Sequence, residues 1–412
     1  MKNHAKNHLK DYAKKQPIII FLVLLALSTV ANANTFVESC YLARYPDVVT
    51  GWVNNGGKAI DHWNRHGQFE GRIPDCRGMA MPNPPPPTPP GAPPPSVNPP
   101  SGSQYTINGG GPRPIEISVD PVRFAGAVSS VKWNGVEFIN VHDRGRQLQT
   151  AVQYDGYAEC NNPTEAGSSH DGRGARSTSR LLAHSKTSPS QLANQIQMAY
   201  WSYRQLTGAC VKGIDTRLTS PLSNTVLNKN ISIGAFGDPQ IVDYSLTITH
   251  QKRDVALEVT YELLTGYLNS EFKRFFYVSK KTGGLAEYLA SDLKDISGNG
   301  FPPGSYMGQA ARKQQFDPVI MSNASGSHAM GAYIPASQIA NCKSGFGYAV
   351  FHFNLGGSGP NGAGTNKWNL AAYDSVNSKC IVNNSRSFKV YLVVGTLAEV
   401  HQKLGKLLKS AP

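Results

Sequence analysis

The chain has 412 residues, with 40 glycines, 28 prolines and only 16% charged residues. This is too long for one small domain, and it suits a β-rich exported protein with many turns better than a helical cytosolic enzyme. The formal net charge of +13 favours anionic partners, but no Lys/Arg block is interleaved with aromatics, so nucleic acid is not an expected partner.

The chain opens with a basic stretch ending in Lys14 and Lys15, then "PIIIFLVLLALSTV", then "ANA". The apolar run is about 14 residues, against the roughly 20 that a membrane span needs. This is the pattern of a signal peptide over residues 1–33, cleaved after Ala33; an uncleaved anchor is the alternative. A secreted protein, periplasmic or extracellular, is expected, with no membrane association after cleavage. Losing residues 1–33 removes five lysines and Asp11, taking the formal charge from +13 to +9. The six cysteines, Cys40, Cys76, Cys160, Cys210, Cys342 and Cys380, all follow this segment, and an even count in an exported chain implies disulfides. About 15 connectivities are possible; pairing sequence neighbours gives 40–76, 160–210 and 342–380. No pair has the short spacing of a zinc site, so no structural metal is expected, and no cofactor motif is present.

Residues 34–80 read as a small module. "YLARYPDV" is a helical turn checked by proline, and "KAIDHWNRHGQFEGR" an amphipathic helix with Ile60, Trp63 and His66 three apart, ended by Gly67 and Gly71. So short a segment builds a poor core, which a 40–76 staple would help. Tyr41, Leu42, Pro46, Asp47, Val48, His62, Trp63, Gly67, Glu70, Gly71 and Arg72 together resemble a short repeat of bacterial surface and polysaccharide-related proteins. Residues 81–103, "MPNPPPPTPPGAPPPSVNPPSGS", form an extended, stiff linker, since proline fixes φ and removes donors.

Residues 104–412 read as one large β domain. "AVSSVKWNGVEFIN" carries a "WNG" turn between strands. "DYSLTITHQKRDVALEVTYELLT" alternates at Tyr244, Leu246 and Ile248, then at Val255, Leu257, Val259 and Tyr261, as half-buried antiparallel strands do. "FKRFFYVSKKTGGLAEYLASDL" reads as a hairpin, and "GFGYAVFHFNL", "NKWNLAAYD" and "SFKVYLVVGT" continue the series. Only "LAEVHQKLGKLLKS" reads as a helix. The expected class is mainly β, a large antiparallel sandwich with a small helical N-terminal module.

"AGAVSSVKWNGVEFINVHDRGRQLQTAV" resembles the opening of the galactose-mutarotase-like β-supersandwich proteins, in which a glycine turn of the form WNG precedes a polar GR-x-(I/L)-Q strand. The resemblance implies a supersandwich fold and a carbohydrate ligand on the larger sheet's concave face. The catalytic histidine and late glutamate of mutarotases have no counterpart here, so no catalytic residue is carried over.

The residues themselves point to a polar cleft. In "HDRGRQLQTAVQYDG", Arg144, Arg146, Leu148, Thr150, Val152 and Tyr154 share one strand face, and Gln147, Gln149, Ala151 and Gln153 the other. Neither face is purely apolar, as suits a strand lining a wet site. The following segment brings Asp155, Glu159 and Glu165 close in sequence, with Asn162 between them, and carboxylates at unequal burial can divide acid and base roles. A solvated loop, its carboxylates paired with Arg144, Arg146, Arg173 and Arg176, is the bland alternative. His328 in "SNASGSHAMGAYIP" could titrate near neutrality or donate to a sugar oxygen. Trp368, with Lys367 and Asn369 beside it, and Trp201 could stack on a pyranose, or could be core. The candidate catalytic residues are thus Glu159, Glu165, Asp155 and His328. The candidate substrate contacts are His142, Arg144, Arg146, Gln149, Asn162, Trp368 and Asn369. The expected function is a secreted glycoside hydrolase or polysaccharide lyase acting on a polysaccharide or cell-surface glycan, acidic glycans included. A non-catalytic glycan-binding or adhesion protein is the alternative.

Overall fold

Apolar residues at every second position dominate the C-terminal three-quarters of the chain, and among the described residues such runs form strands; Val255 and Leu257 of the expected pattern lie outside the described residues. The computed structural model describes residues 41–42, 44–51, 58–67, 70, 72–73, 105–154, 162–202, 221–250, 258–297, 302–309, 317–340, 345–375 and 380–410. The chain divides into two units, Met1–Pro94 and Pro95–Pro412.

In the first unit, α1 (Pro46–Gly51) and α2 (Ala59–His62) pack around a core of Tyr41, Val48 and Ala59, with Trp63 edge-on to Tyr41 at 5.8 Å. The Tyr41 hydroxyl lies 3.0 Å from His62 Nδ1. Arg72 reaches Asp47 at 2.8 Å and Glu70 at 2.5 Å, and lies over the Tyr45 ring. The repeat-like residues therefore hold one another. The expected long amphipathic helix is instead one α turn continued by a π turn, Trp63–Gly67, and its buried position is Ala59, while Ile60 is exposed. A π turn shifts the facing residues by one, so the three-residue spacing of Ile60, Trp63 and His66 does not mark the buried stripe.

In the second unit twenty strands, numbered β1–β20 along the chain, build two antiparallel layers among the described residues. One layer runs β14 (Leu293–Asp295), β15 (Tyr306–Gln309), β18 (Gly345–Phe353), β19 (Thr365–Ser375), β11 (Glu258–Asn269) and β5 (Leu148–Tyr154). The other runs β7 (Arg180–Ser188), β8 (Gln191–Tyr200), β9 (Leu222–Ile233), β10 (Ile241–Thr249), β20 (Ser385–Gly395), β17 (Ala329–Tyr333), β16 (Val319–Ser322), β12 (Arg274–Val278) and β13 (Leu285–Glu287). A ribbon of β1 (Tyr105–Asn108), β2 (Ile115–Val119) and β3 (Val128–Trp133) joins β5 through Val128 and Leu148. The "WNG" turn links β3 to β4 (Val136–Glu137), with Asn134 and Gly135 both at positive φ, the conformation a two-residue hairpin needs. Short β6 (Pro163–Thr164) pairs with β5 on one side and β8 on the other, tying the layers together. The architecture is a large antiparallel β-sandwich.

One core fills the space between the layers. Val152, Tyr154, Val259, Tyr261, Trp368 and Leu370 face Ile196, Leu227, Tyr244, Leu246, Val390 and Leu392. A second apolar cluster lies on the far face of the second layer, where α3 (Leu397–Ser410) seats Val400, Leu404 and Leu407 against Ile320, Ala329 and Val393. Leu404 and Val400 come so close to Gly331 that a Cβ there would meet them at 2.7 and 2.9 Å. A capping box fixes the start of the helix: Thr396 N–H donates to Glu399 Oε2 at 2.8 Å, and Glu399 N–H donates to Thr396 Oγ1 at 3.2 Å.

Of the six cysteines only Cys380 is among the described residues, and it is disulfide-bonded. The other five, the signal-like segment 1–33 and the proline-rich linker lie outside them.

Candidate functional site

The outer face of the first layer carries a cleft lined by Gln149, Ala151 and Gln153 from β5, Glu262, Thr265 and Tyr267 from β11, and Lys367 from β19, with Asn162, Thr164, Trp201 and Gly145 around it. Alternation explains the β5 contribution: Leu148, Val152 and Tyr154 turn into the core, so their neighbours turn out. On β11 the alternation breaks. The register with β19 shifts between Glu262 and Leu264, and Leu263 and Leu264 both point into the core. The extra residue is absorbed as a bulge, which leaves Glu262 and Thr265, three apart, on the same open face.

Glu262 is the one carboxylate among the described lining residues, and Lys367 the one cation. Gln153 Nε2 donates to Glu262 Oε1 at 2.6 Å, and Thr265 Oγ1 lies 3.1 Å from Glu262 Oε2 and 3.1 Å from Asn369 Oδ1. Lys367 Nζ stands 3.9 Å from Glu262 Oε2, with side chains only 11% and 12% exposed. The ammonium also sits 4.9 Å from the centres of both the Tyr267 and Phe351 rings, whose π faces attract it. The pair is thus fixed from several sides in a partly desolvated place, where its field acts at close range.

Trp201 covers Gly145, so closely that a Cβ there would lie 2.7 Å from the indole. Its backbone is anchored: N–H donates to Asn162 O at 2.7 Å, and its carbonyl accepts from Ser168 Oγ, Ser169 Oγ and Ser169 N–H. The indole thus lies over Gly145 at the edge of the cleft.

The other sequence candidates are distributed as follows. Gln149 and Asn162 line the cleft. Gln149 is locked, since its Oε1 accepts from Ala166 N–H at 3.0 Å and its Nε2 donates to Arg144 O at 3.2 Å. Asn369 supports Thr265 from the next strand. Arg146 and His142 hold the glycine-rich loop instead of a ligand: Arg146 Nη1 donates to Ala363 O at 3.0 Å, and His142 Nδ1 lies 3.1 Å from Asn361 O. Asn140 completes that clasp with Nδ2 contacts to Gly362 O at 2.9 Å and Gly364 O at 3.1 Å.

Four other candidates are not among the lining residues. Arg144 is fully buried; its guanidinium donates to the carbonyls of Gly174 and Arg176 and lies over Phe124, so it pins a loop. Trp368 is fully buried against Gly266, because alternation that turns Lys367 and Asn369 outward must turn Trp368 inward. His328 stands edge-on to Trp133 at 5.5 Å and lies 3.0 Å from Ser327 Oγ, away from the cleft. Glu165 is inside the molecule, paired with an equally buried Lys229. Its other oxygen accepts from Thr150 N–H at 3.0 Å, and Lys229 also donates to Gly126 O at 2.8 Å. Burial pushes the Glu165 carboxyl up and the Lys229 ammonium down, and each partner's charge opposes the other's shift. Asp155 and Glu159 lie outside the described residues.

Glu262, Thr265 and Tyr267 are not among the residues expected from the sequence. The available signal is a lone acid in the otherwise apolar run "VTYELLTGYL", next to a leucine doublet that interrupts the alternation.

No family model matches the chain, and no curated protein does. Among solved structures, a Klebsiella pneumoniae protein described as an aldose 1-epimerase is 10% identical over 75% of this chain and 93% of its own, with a TM-score of 0.35. A beta-arabinopyranosidase is 10% identical over 71% of this chain and 40% of its own, with a TM-score of 0.30. Neither likeness bears on the site, which stands on its own residues.

Proposed function

We propose that the chain is a carbohydrate-active protein that binds glycan in the cleft on the outer face of its first layer, with Glu262 as the central acid/base group. One observation carries this: among the described residues an ion pair, Glu262 and Lys367, is set among amides and hydroxyls beside the Trp201 indole. Amides, hydroxyls and a carboxylate match the many donors and acceptors of a sugar, and an aromatic face matches its apolar C–H side. For glycoside hydrolysis a second carboxyl is required at about 5–9.5 Å, and Asp155 and Glu159, which follow β5 in sequence, are the proposed sources.

A binding-only role is favoured by a different observation. Both Glu262 oxygens are already engaged, by Gln153 and Thr265, which suits a fixed acceptor for ligand hydroxyls. The test is a polysaccharide panel offered to the wild-type chain and to Glu262→Gln, reading retention, new reducing ends and ultraviolet-absorbing unsaturated products. Reducing ends that vanish in the variant support hydrolysis, and retention without products supports binding alone. Absence of both from every glycan overturns the proposal.

A further inference from the structure

We propose that Lys229 and Asn194 join in an amide bond between β9 and β8, with release of ammonia, under the action of Glu165. The two side chains stand opposite each other. Asn194 and Lys229 are register partners on antiparallel strands, and both turn into the sandwich, Lys229 fully buried and Asn194 4% exposed. They also converge on one atom: Lys229 Nζ and Asn194 Nδ2 each donate to Gly126 O at 2.8 Å. Gly126 has a φ of +91°, and a Cβ there would lie 2.8 Å from Asn194 Nδ2, so glycine is what lets this carbonyl approach.

Each reacting group has the neighbour that the chemistry requires. Glu165 contacts Lys229 Nζ directly. Burial pushes the carboxyl up and the ammonium down, so a proton moving within the pair leaves a neutral amine, the nucleophilic form of lysine. Asn194 Oδ1 lies 2.5 Å from His184 Nδ1. An amide oxygen only accepts, so the imidazole donates to it. That bond draws electrons from the carbon to be attacked and is in place for the negative charge that develops on the oxygen. Tyr244, itself fully buried, closes the site, its ring centre 5.7 Å from Nζ. The register and the shared carbonyl hold amine and amide side by side, which removes most of the entropy cost of bringing them together.

The step is a transamidation within the chain. Glu165 first takes one proton from the Lys229 ammonium. Nζ then attacks Asn194 Cγ, and the Nζ–Cγ bond forms as the carbonyl electrons move onto Oδ1 against His184. Nζ sheds a second proton, which its neighbour Nδ2 takes up. The carbonyl re-forms, the Cγ–Nδ2 bond breaks and Nδ2 leaves as ammonia. Nζ keeps its last hydrogen as the N–H of the new amide, and Glu165 ends protonated, the form its burial favours. No oxidant or co-reactant is consumed.

The test is the mass of the full chain, unfolded and reduced, together with a map of its tryptic peptides. The wild-type chain should be lighter than its sequence requires by one ammonia. Trypsin should fail to cut after Lys229, giving a branched peptide that joins residues 187–204 to residues 218–252. Lys229→Met removes the nucleophile and Glu165→Gln the base, and both should carry the full mass and release 187–204 as a linear peptide. A Glu165→Gln chain that still melts cooperatively and stays unlinked supports the role given to Glu165; one linked as fully as wild type overturns it. Full mass in the wild-type chain, with cleavage after Lys229, overturns the inference. So does loss of ammonia without the branched peptide, the mark of a succinimide at an Asn-Gly step elsewhere.

Discussion

Each layer of the sandwich has one face turned away from the shared core, and the two outer faces are treated in opposite ways. Behind the second layer, β20, β17, β16 and β12 present Val393, Ala329, Ile320 and Phe276, and α3 covers them with Val400, Leu404 and Leu407. In front of the first layer, β5, β11 and β19 present Gln149, Gln153, Glu262, Thr265 and Lys367 around a cleft. The hydrophobic effect explains the first arrangement, since apolar area on both sides of a sheet needs two covers. The second face is not covered by apolar contacts in this way, since its lining side chains are mostly amides, hydroxyls and the Glu262–Lys367 pair. This polar, partly desolvated face is the one on which the proposed glycan reading rests.

Substitutions can break or sharpen this contrast. The largest effect is expected beneath the cleft, not in it. Glu165→Gln leaves Lys229 buried without its counter-charge and should cost about 3–5 kcal/mol, read as a large drop in the denaturant midpoint. Replacing both residues with apolar side chains should recover much of that loss, and failure to do so would mean that the contacts to Thr150 and Gly126 matter more than the charge balance. Next, Leu404→Ala removes the side chain that fills the space above Gly331 and should cost about 2–4 kcal/mol, with glycan retention unchanged. Retention lost in step with stability would show that the two faces are not independent.

A smaller effect is expected from acid. Burial pushes the Glu399 carboxyl up, but the Thr396 backbone, the Arg113 guanidinium, the Thr396 hydroxyl and the Gln240 amide outweigh it and hold the group at about 2. A depressed carboxyl contributes stability that is present above its unfolded value, near 4.3, and lost as the pH falls toward 2. The difference in melting temperature between wild type and Glu399→Gln should therefore be largest near pH 6 and shrink between about pH 5 and pH 2; a pH-independent difference would refute the assignment. A smaller stability change than for Glu165→Gln should come from Glu262→Gln in the cleft, because its pair with Lys367 is 3.9 Å apart and lacks a direct hydrogen bond, although its effect on glycan retention should be the largest of the set.

The strands were legible wherever one face is core. Tyr244, Leu246 and Ile248 alternate in the sequence and are all buried, and β5 declares itself by being polar on the side opposite Leu148, Val152 and Tyr154. Trp368 could have been excluded by the same rule applied to its own neighbours, because Lys367 and Asn369 cannot share a face with it. Glu165 was not legible. Its partner Lys229 is 64 positions away on β9, and nothing local distinguishes an acid that turns inward from one that turns to solvent. Glu262 was hidden by the leucine doublet, where period-two counting fails.

That doublet has a consequence for how the cleft could be altered. A residue added to a strand either reverses the facing of everything beyond it or is taken up at one rung; β11 takes it up at Leu263 and Leu264. Deleting one leucine would leave Tyr261 inward and Glu262, Thr265 and Tyr267 outward, changing only the pitch between them. The distance from the carboxylate to the hydroxyl and ammonium is therefore adjustable by a single codon, without exchanging any functional group and without re-facing the sheet. Length at that rung is a tuning parameter separate from residue identity, and a library varying it would probe reach alone.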